Sequence, residues 1–167
     1  MISTLQDFTA SLPEVFQWLG VFLISAIPFV ESYFGAAIGV IGGINPIIAV
    51  VAAIVGNVIS MLVFVFTAHG VRAKATQNRG ARPLSPRRAK LKERFDRYGV
   101  PGVSLLGQVF LPSQITSAAM VSFGAPKNQV ILWQIISIIM WGVVFGVLAS
   151  VGITAVVGGG MLGGVTP

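Results

Sequence analysis

Glu31 is the residue whose position in this chain points most directly to chemistry. It lies near the middle of the apolar stretch 15–43, close to Pro28, and that stretch contains no lysine or arginine to pair with it. A carboxylate at membrane depth is costly, faces protein or water, and by default marks a functional site. Glu31 is therefore predicted to carry a proton or to balance a cation. The alternative is that it lies in interfacial water at the membrane surface.

A second set of candidates consists of neutral residues that lie near interruptions of apolar segments. Helix N-termini at such interruptions attract anionic groups, and neutral side chains add hydrogen bonds to a headgroup. The alternative is that these side chains only satisfy unwound backbone or bond across helices. The predicted substrate-binding residues are Pro28, Ser32, Asn57, Gln108, Pro112, Ser113, Gln114, Thr116 and Ser117.

The composition excludes a soluble enzyme. Of 167 residues, 54% are hydrophobic and 10% are charged, whereas a typical globular chain is roughly a quarter charged. There is no cysteine, so a disulfide framework, a thiol nucleophile and a cysteine-ligated metal are excluded. One histidine and five carboxylates also argue against a metal centre or a catalytic triad. We expect no cofactor and no enzymatic activity.

Two segments are long and apolar enough to be transmembrane helices, and two others are interrupted. A crossing needs about 20 apolar residues, which 46–69 and 126–157 provide. The stretches 15–43 and 100–125 are each broken by a proline, which removes a helical hydrogen bond. Each half, roughly 12–14 residues or about 20 Å long, enters the bilayer without crossing it. We predict two re-entrant hairpins; the alternative, four full spans with proline kinks, reverses the side of both termini.

The two halves of the chain follow one pattern. In each, a hairpin with a proline and a polar residue at its tip is followed by a glycine, a proline and a long helix. With the segment between them in the cytoplasm, the halves are predicted to be inverted repeats. The predicted fold class is thus an all-α integral membrane protein, with two inverted repeats joined by a basic cytoplasmic loop.

The chain is interpreted as one membrane domain, 1–167. Segment 1–46 contains the first hairpin, and its residues 2–19 form either an amphipathic interfacial segment or the start of the first membrane helix. Asp7 and Glu14 make the start of the chain acidic, whereas a secretory signal begins with a basic region. The glycine-rich tail 158–167 is predicted to have no fixed structure.

The net charge of +6 arises in the loop 70–99. Ten of the eleven basic residues lie between Arg72 and Arg97, which by the positive-inside rule places this loop in the cytoplasm of a cell-membrane protein. A short amphipathic helix is predicted from Ser85 to Gly99, and the alternative to lipid binding is that it only fixes topology. Nucleic-acid binding is not expected because few aromatic residues accompany the charges. The predicted contacts to anionic headgroups are Arg87, Arg88, Lys90, Arg94 and Arg97.

Several short motifs resemble a known group of membrane proteins. The run Ala26-Ile-Pro-Phe-Val-Glu31, with Gly42-Gly43-Ile-Asn45-Pro46 and Gly56-Asn57, resembles the first half of the small multidrug export family. The run Gly107-Gln-Val-Phe-Leu-Pro112-Ser-Gln114 resembles the second re-entrant motif of the related DedA and SNARE-associated (VTT) superfamily. The resemblance covers roughly residues 20–157.

The resemblance implies two facing hairpins with flanking helices. It also implies ion-coupled transport of amphipathic drugs or of lipid-linked phosphates such as polyprenyl phosphate. In this chain, Gln108 and Gln114 stand where the DedA pattern has arginines. This departure favours proton-linked movement of a neutral or cationic amphipath.

Two functional hypotheses follow from these patterns. The first is a small ion-coupled transporter or lipid flippase with Glu31 at its centre. The second is a non-transporting membrane scaffold or assembly factor that binds a partner through the basic loop. We also expect a homo-oligomer, most simply a dimer, because two full helices are few for covering two hairpins whose unwound backbone must avoid lipid.

Overall fold

The computed structural model describes residues 2–78, 86–108 and 110–162, with side chains over 3–74, at Glu93, and over 98–108 and 110–156. Within these ranges every regular element is a helix, which confirms the all-α class. A short 3-10 helix, Glu14–Phe16, separates the first two α-helices. The α-helices are α1 Ile2–Ser11, α2 Gln17–Ser25, α3 Glu31–Ile41, α4 Pro46–Asn78, α5 Pro86–Gly107, α6 Ser113–Phe123 and α7 Lys127–Leu162.

Helices α4 and α7 have the length and apolar character of membrane spans. Their apolar parts are Pro46–Lys74 and Lys127–Val156, of 29 and 30 residues. At 1.5 Å per residue each is about 45 Å long, more than the roughly 30 Å of a hydrocarbon core. Only a minority of these positions is buried within the chain, unlike the core helix of a soluble protein. The two long apolar helices predicted from the sequence are confirmed as candidate spans.

Both long helices continue past their predicted ends. Helix α4 runs beyond residue 69 to Asn78, so the first part of the predicted loop is helical. Helix α7 runs to Leu162, so the predicted tail was wrong for residues 158–162, and the rest of the tail lies outside the described residues. Once a helix is nucleated, each added residue gains one hydrogen bond for the two dihedrals it fixes, so helices extend beyond the apolar segment.

The chain divides into two compact units. Unit 1 comprises Met1–Asn57 and Ile139–Pro167, and unit 2 comprises Val58–Ile138. Each unit therefore contains one of the two broken stretches together with part of α4 and part of α7.

In unit 1, α1 packs against both α2 and α3. Leu5 of α1 contacts a buried cluster formed by Ile24, Val30 and Ile38. A turn at residues 12–13 and the 3-10 helix separate α1 from α2. The N-terminal segment is thus a distinct packed helix and not the start of the first membrane helix.

Small residues fix the register of α3 against α4 within unit 1. A Cβ atom added at Gly39 would lie 2.8 Å from the Cβ of Ala49, and one added at Gly35 would lie 3.5 Å from that of Ala53. The paired numbers rise on one helix as they fall on the other, so the helices are antiparallel. The same register places Glu31 level with Asn57.

In unit 2, α5 is kinked at Gly99, which has φ 65° and ψ −178°. The predicted end of the basic helix at Gly99 is confirmed, and a second helical piece continues to Gly107 and packs on α6. Helix α6 ends at Gly124, whose φ of 108° is left-handed and suits glycine. There the Ala125 N–H donates to the Met120 carbonyl oxygen over 3.0 Å.

Both predicted interruptions are present. Helix α2 ends at Ser25 and α3 begins at Glu31, while α5 ends at Gly107 and α6 begins at Ser113. Helices α3 and α6 each have 11 residues, about 16 Å at helical rise. Neither is long enough to cross a bilayer alone.

Candidate functional site

Glu31 is the first residue of α3, and its side chain is 0% exposed. Pro28 lies in the turn between α2, which ends at Ser25, and α3, and the N–H groups of Val30 and Glu31 both donate to the Ile27 carbonyl oxygen. Phe29 and Glu31 have left-handed φ angles of 74° and 55°. Such a conformation costs a residue with a side chain roughly 1–2 kcal/mol, so the surrounding packing holds this turn. The carboxylate is not exposed at the surface of unit 1.

The surroundings of Glu31 in unit 1 are neutral. Ser25 and Ser32 are fully buried, as is Asn57 at the same level of α4. The Ser25 hydroxyl donates to the Val21 carbonyl oxygen over 2.7 Å. The sequence of unit 1 contains no lysine, arginine or histidine. Any positive charge that balances this carboxylate must therefore come from outside unit 1.

An aromatic cluster lies on α3 and α7 of the same unit. The Tyr33 ring centroid lies 4.8 Å from that of Phe34 and 5.3 Å from that of Phe145, and Trp141 lies 6.1 Å from Phe145. Tyr33 lies two residues after Glu31 in α3. Aromatic faces attract organic cations. The sequence analysis did not single out this cluster, although Trp141 and Phe145 are one helical turn apart.

The predicted substrate-binding residues fall into two groups, one in each unit. Unit 1 holds Ser32 and Asn57, both fully buried, and Pro28, which is half-buried at the break. Unit 2 holds the rest, all buried around the start of α6: Gln108, Pro112, Ser113, Gln114, Thr116 and Ser117.

Hydrogen bonds hold part of the unit 2 group in place. The Gln114 amide nitrogen donates to the Ser60 hydroxyl of α4 over 3.5 Å. The Ser117 hydroxyl donates to the Gln114 carbonyl oxygen over 3.1 Å. Pro112 precedes α6 with extended backbone, φ −54° and ψ 142°. The helix therefore starts with polar side chains directed into the packed unit.

Three buried residues of this region were missed by the sequence analysis. Ser104, Gln134 and Ser137 are all 0% exposed. The Ser137 hydroxyl lies 2.6 Å from Gln108 Oε1 and 2.8 Å from the Ser104 carbonyl oxygen. The signal was present, because polar residues three apart in an apolar helix share one face.

The basic residues lie largely beyond the described side chains. The backbone of α5 carries the five residues predicted to contact anionic headgroups, and their side chains lie outside the described set. In unit 2, Arg72 donates from Nη1 to the Val121 carbonyl oxygen over 3.4 Å, close to the C-terminus of α6. Lys127 Nζ lies 5.1 Å from the centroid of the Phe66 ring. Among the described residues, no group of three or more His, Asp or Glu could hold a metal ion.

No protein-family model, curated protein or solved structure matches this chain. The resemblance to small multidrug export and DedA-type proteins therefore stays a prediction that rests on the short motifs quoted above.

Proposed function

We propose that the protein is a small membrane transporter that moves an amphipathic substrate, with Glu31 as the group that carries a proton or balances a cation. The observation that carries this proposal is the complete burial of Glu31 at the start of α3, directly after the turn that contains Pro28. Two candidate membrane spans support a location in the bilayer.

The buried position of Glu31 determines which charge state of its carboxyl group is favoured. Burying a charged carboxylate costs several kcal/mol or more unless a positive charge accompanies it. Unit 1 has no lysine, arginine or histidine in its sequence to supply that charge. The carboxyl group of Glu31 is thus favoured either protonated or beside a positive charge that unit 1 itself does not supply. Exchange between these two states is what a proton-coupled or cation-coupled transporter requires.

The aromatic cluster favours a cationic amphipath as the substrate. A cation gains from the aromatic faces of Tyr33, Phe34 and Trp141, and Glu31 in the same unit supplies a negative charge when it is ionised. Lipid-linked phosphates, the other class implied by the resemblance, would find no basic side chain in unit 1. They would depend instead on the second group of residues or on the basic loop.

The proposed architecture is a pair of re-entrant hairpins in inverted repeats. It is supported by the lengths of α3 and α6, 11 residues each, and by the left-handed glycine that follows each of them, Gly43 and Gly124. A dimer and contacts of the basic helix with anionic headgroups belong to the same proposal, with the loop on the cytoplasmic side.

The experiment measures transport by the purified protein in liposomes. Ethidium, an amphipathic cation, is added outside the liposomes, and its entry is followed by fluorescence. A pH dye inside the liposomes reports proton movement. We expect Glu31→Gln to abolish both signals. The matched control is Glu14→Gln, which removes an exposed carboxylate of the same unit and should leave both unchanged. Thermal unfolding shows whether each variant is folded, and normal transport by folded Glu31→Gln would refute the proposal.

The scaffold hypothesis is separated by a second variant. Replacing the five basic residues of α5 with glutamine leaves Glu31 in place and removes the charge that would hold a cytoplasmic partner. The transporter proposal expects ethidium movement to persist in this variant. A cellular function lost in the loop variant and retained in Glu31→Gln would instead favour the scaffold.

A further inference from the structure

Unit 2 buries several polar groups that have no hydrogen-bond partner among the described residues. These groups are the Ser104 hydroxyl, the Thr116 hydroxyl, the Gln108 amide nitrogen and both polar atoms of the Gln134 amide. All four side chains are at most 3% exposed. A buried polar group without a partner typically costs about 1–3 kcal/mol, and native proteins keep few of them. Several within one unit call for an explanation.

These groups lie on three helical segments that contact one another. Ser137 of α7 reaches Ser104 and Gln108 of α5, and Gln134 lies one turn before Ser137 on the same helix face. A Cβ added at Gly107 would lie 3.5 Å from Thr116 Cγ2, so α6 borders the same place. We group the four unsatisfied side chains with Ser137, which contacts two of the residues that carry them, and name the set the amide cluster: Ser104, Gln108, Thr116, Gln134 and Ser137.

The hydrogen-bond inventory of the amide cluster defines what it can bind. The Ser137 hydroxyl has one proton and two acceptors within 2.8 Å. Whichever way the Gln108 amide is turned, one of its polar atoms faces no protein partner. Gln134 adds donors and acceptors together, because an amide has two N–H bonds and a carbonyl oxygen. The cluster thus offers donors and acceptors side by side and carries no charge.

We propose that the amide cluster binds the uncharged hydroxyl headgroup of a lipid such as diacylglycerol. A hydroxyl donates and accepts at once, so it can satisfy an amide and a neighbouring hydroxyl together. An ionised phosphate only accepts, and the five side chains of the amide cluster carry no positive charge to balance it. A quaternary ammonium has no N–H to donate. This lipid site is separate from the proposed transport of a cationic amphipath and does not depend on it.

The test measures binding of a lipid probe without transport. The full-length protein is placed in phosphatidylcholine nanodiscs with a small fraction of a diazirine-bearing diacylglycerol, and labelling is read by mass spectrometry after illumination. A phosphatidic acid with the same acyl chains and diazirine is the charged comparison. We expect labelling of α5, α6 and α7 by the diacylglycerol to exceed that by the phosphatidic acid. If glycerol added to the buffer abolishes labelling by the diacylglycerol probe, the site binds a soluble polyol, and the proposed lipid ligand is wrong.

Gln134→Leu is the decisive variant, since leucine has a similar volume and lacks the amide. We expect labelling to fall about five- to tenfold, the effect of losing one or two hydrogen bonds. The midpoint of thermal unfolding should stay the same or rise, because an unsatisfied buried amide is removed. Gln129→Leu, at an exposed position of the same helix, should change neither quantity.

Two further outcomes would overturn the proposal. One is equal labelling of Gln134→Leu and the unmodified protein. The other is a clear loss of stability or of folding in Gln134→Leu, because that would show that the amide has a structural partner. Thr116→Val provides an independent second variant with nearly the same shape, and it should likewise lose labelling and keep its stability. A failed ethidium assay with successful labelling would refute the transport proposal alone.

Discussion

The hydroxyl of Ser137 lies 2.6 Å from the side-chain oxygen of Gln108, and this contact joins α7 to the end of α5. The same hydroxyl lies 2.8 Å from the Ser104 carbonyl oxygen. Both partners are buried, so water does not compete for the contact. Hydrogen bonds between helices in an apolar setting are therefore expected to hold this part of unit 2 together.

Ser137→Ala is expected to lower the free energy of unfolding by about 1–2 kcal/mol, because it removes the single buried proton shared between two acceptors. The measurement is thermal or denaturant unfolding of the purified protein in detergent micelles. Ser122→Ala is the control: its exposed hydroxyl donates only to the Ala118 carbonyl oxygen of its own helix, so the change should stay below about 0.5 kcal/mol. Equal effects of the two substitutions would contradict the assigned role of Ser137.

Gly56→Ala should destabilise unit 1. An added Cβ would overlap the carbonyl oxygen of Phe22 on α2, which is backbone and moves only if the helix moves. Overpacking of this kind costs typically 1–3 kcal/mol. Gly70→Ala in the same helix meets nothing within 4 Å and should stabilise the protein by up to about 1 kcal/mol through helix propensity. Opposite signs in the unfolding midpoints are the expected result; a neutral Gly56→Ala would mean that α2 is not held against α4.

Asn45→Ala is expected to weaken the start of α4. The Asn45 side-chain oxygen accepts hydrogen bonds from the N–H groups of Ile47 and Ile48, over 3.0 and 3.5 Å. Loss of such a cap costs about 1 kcal/mol. Asn45→Asp keeps the capping oxygen and should restore most of that stability. Unfolding of both variants under one condition tests the pair, and failure of aspartate to rescue would show that the cap contributes little.

The proposed topology can be tested with single cysteines, because the chain has none of its own. Thr4→Cys and Thr166→Cys should react with a membrane-impermeant maleimide in intact cells if both hairpins are re-entrant. Lys74→Cys, at the C-terminal end of the apolar part of α4, should react only after the cells are permeabilised. Protection of both termini in intact cells would instead favour four full spans.

Much of the fold could be predicted from local rules along the chain. The two long apolar helices follow from hydropathy and length, and the interruptions follow from Pro28 and Pro112, which cannot continue a helix. The kink at Gly99 and the end of α6 at Gly124 follow from residues that tolerate left-handed backbone. The extent of α4 and α7 was underestimated, because hydropathy marks the apolar segment and not the helix that contains it.

The composition of the candidate site was harder to predict. Glu31 stood out because a carboxylate in an apolar stretch is conspicuous. Gln134 and Ser137 did not, since amides and hydroxyls in a membrane helix commonly serve packing. The role of Ser137 becomes visible only in the tertiary structure, where its hydroxyl contacts Ser104 and Gln108, which lie about 30 positions earlier in the chain.

The sequence by itself determined that this protein is helical, apolar and basic in one segment, and it determined where the helices must break. These properties depend on near neighbours and on the transfer of side chains from water. The tertiary structure decided that Glu31 is buried level with Asn57, and that neutral side chains from α5, α6 and α7 meet. These contacts between helices depend on helix packing. Packing is determined by pairs of small residues on different helices, such as Gly39 and Ala49.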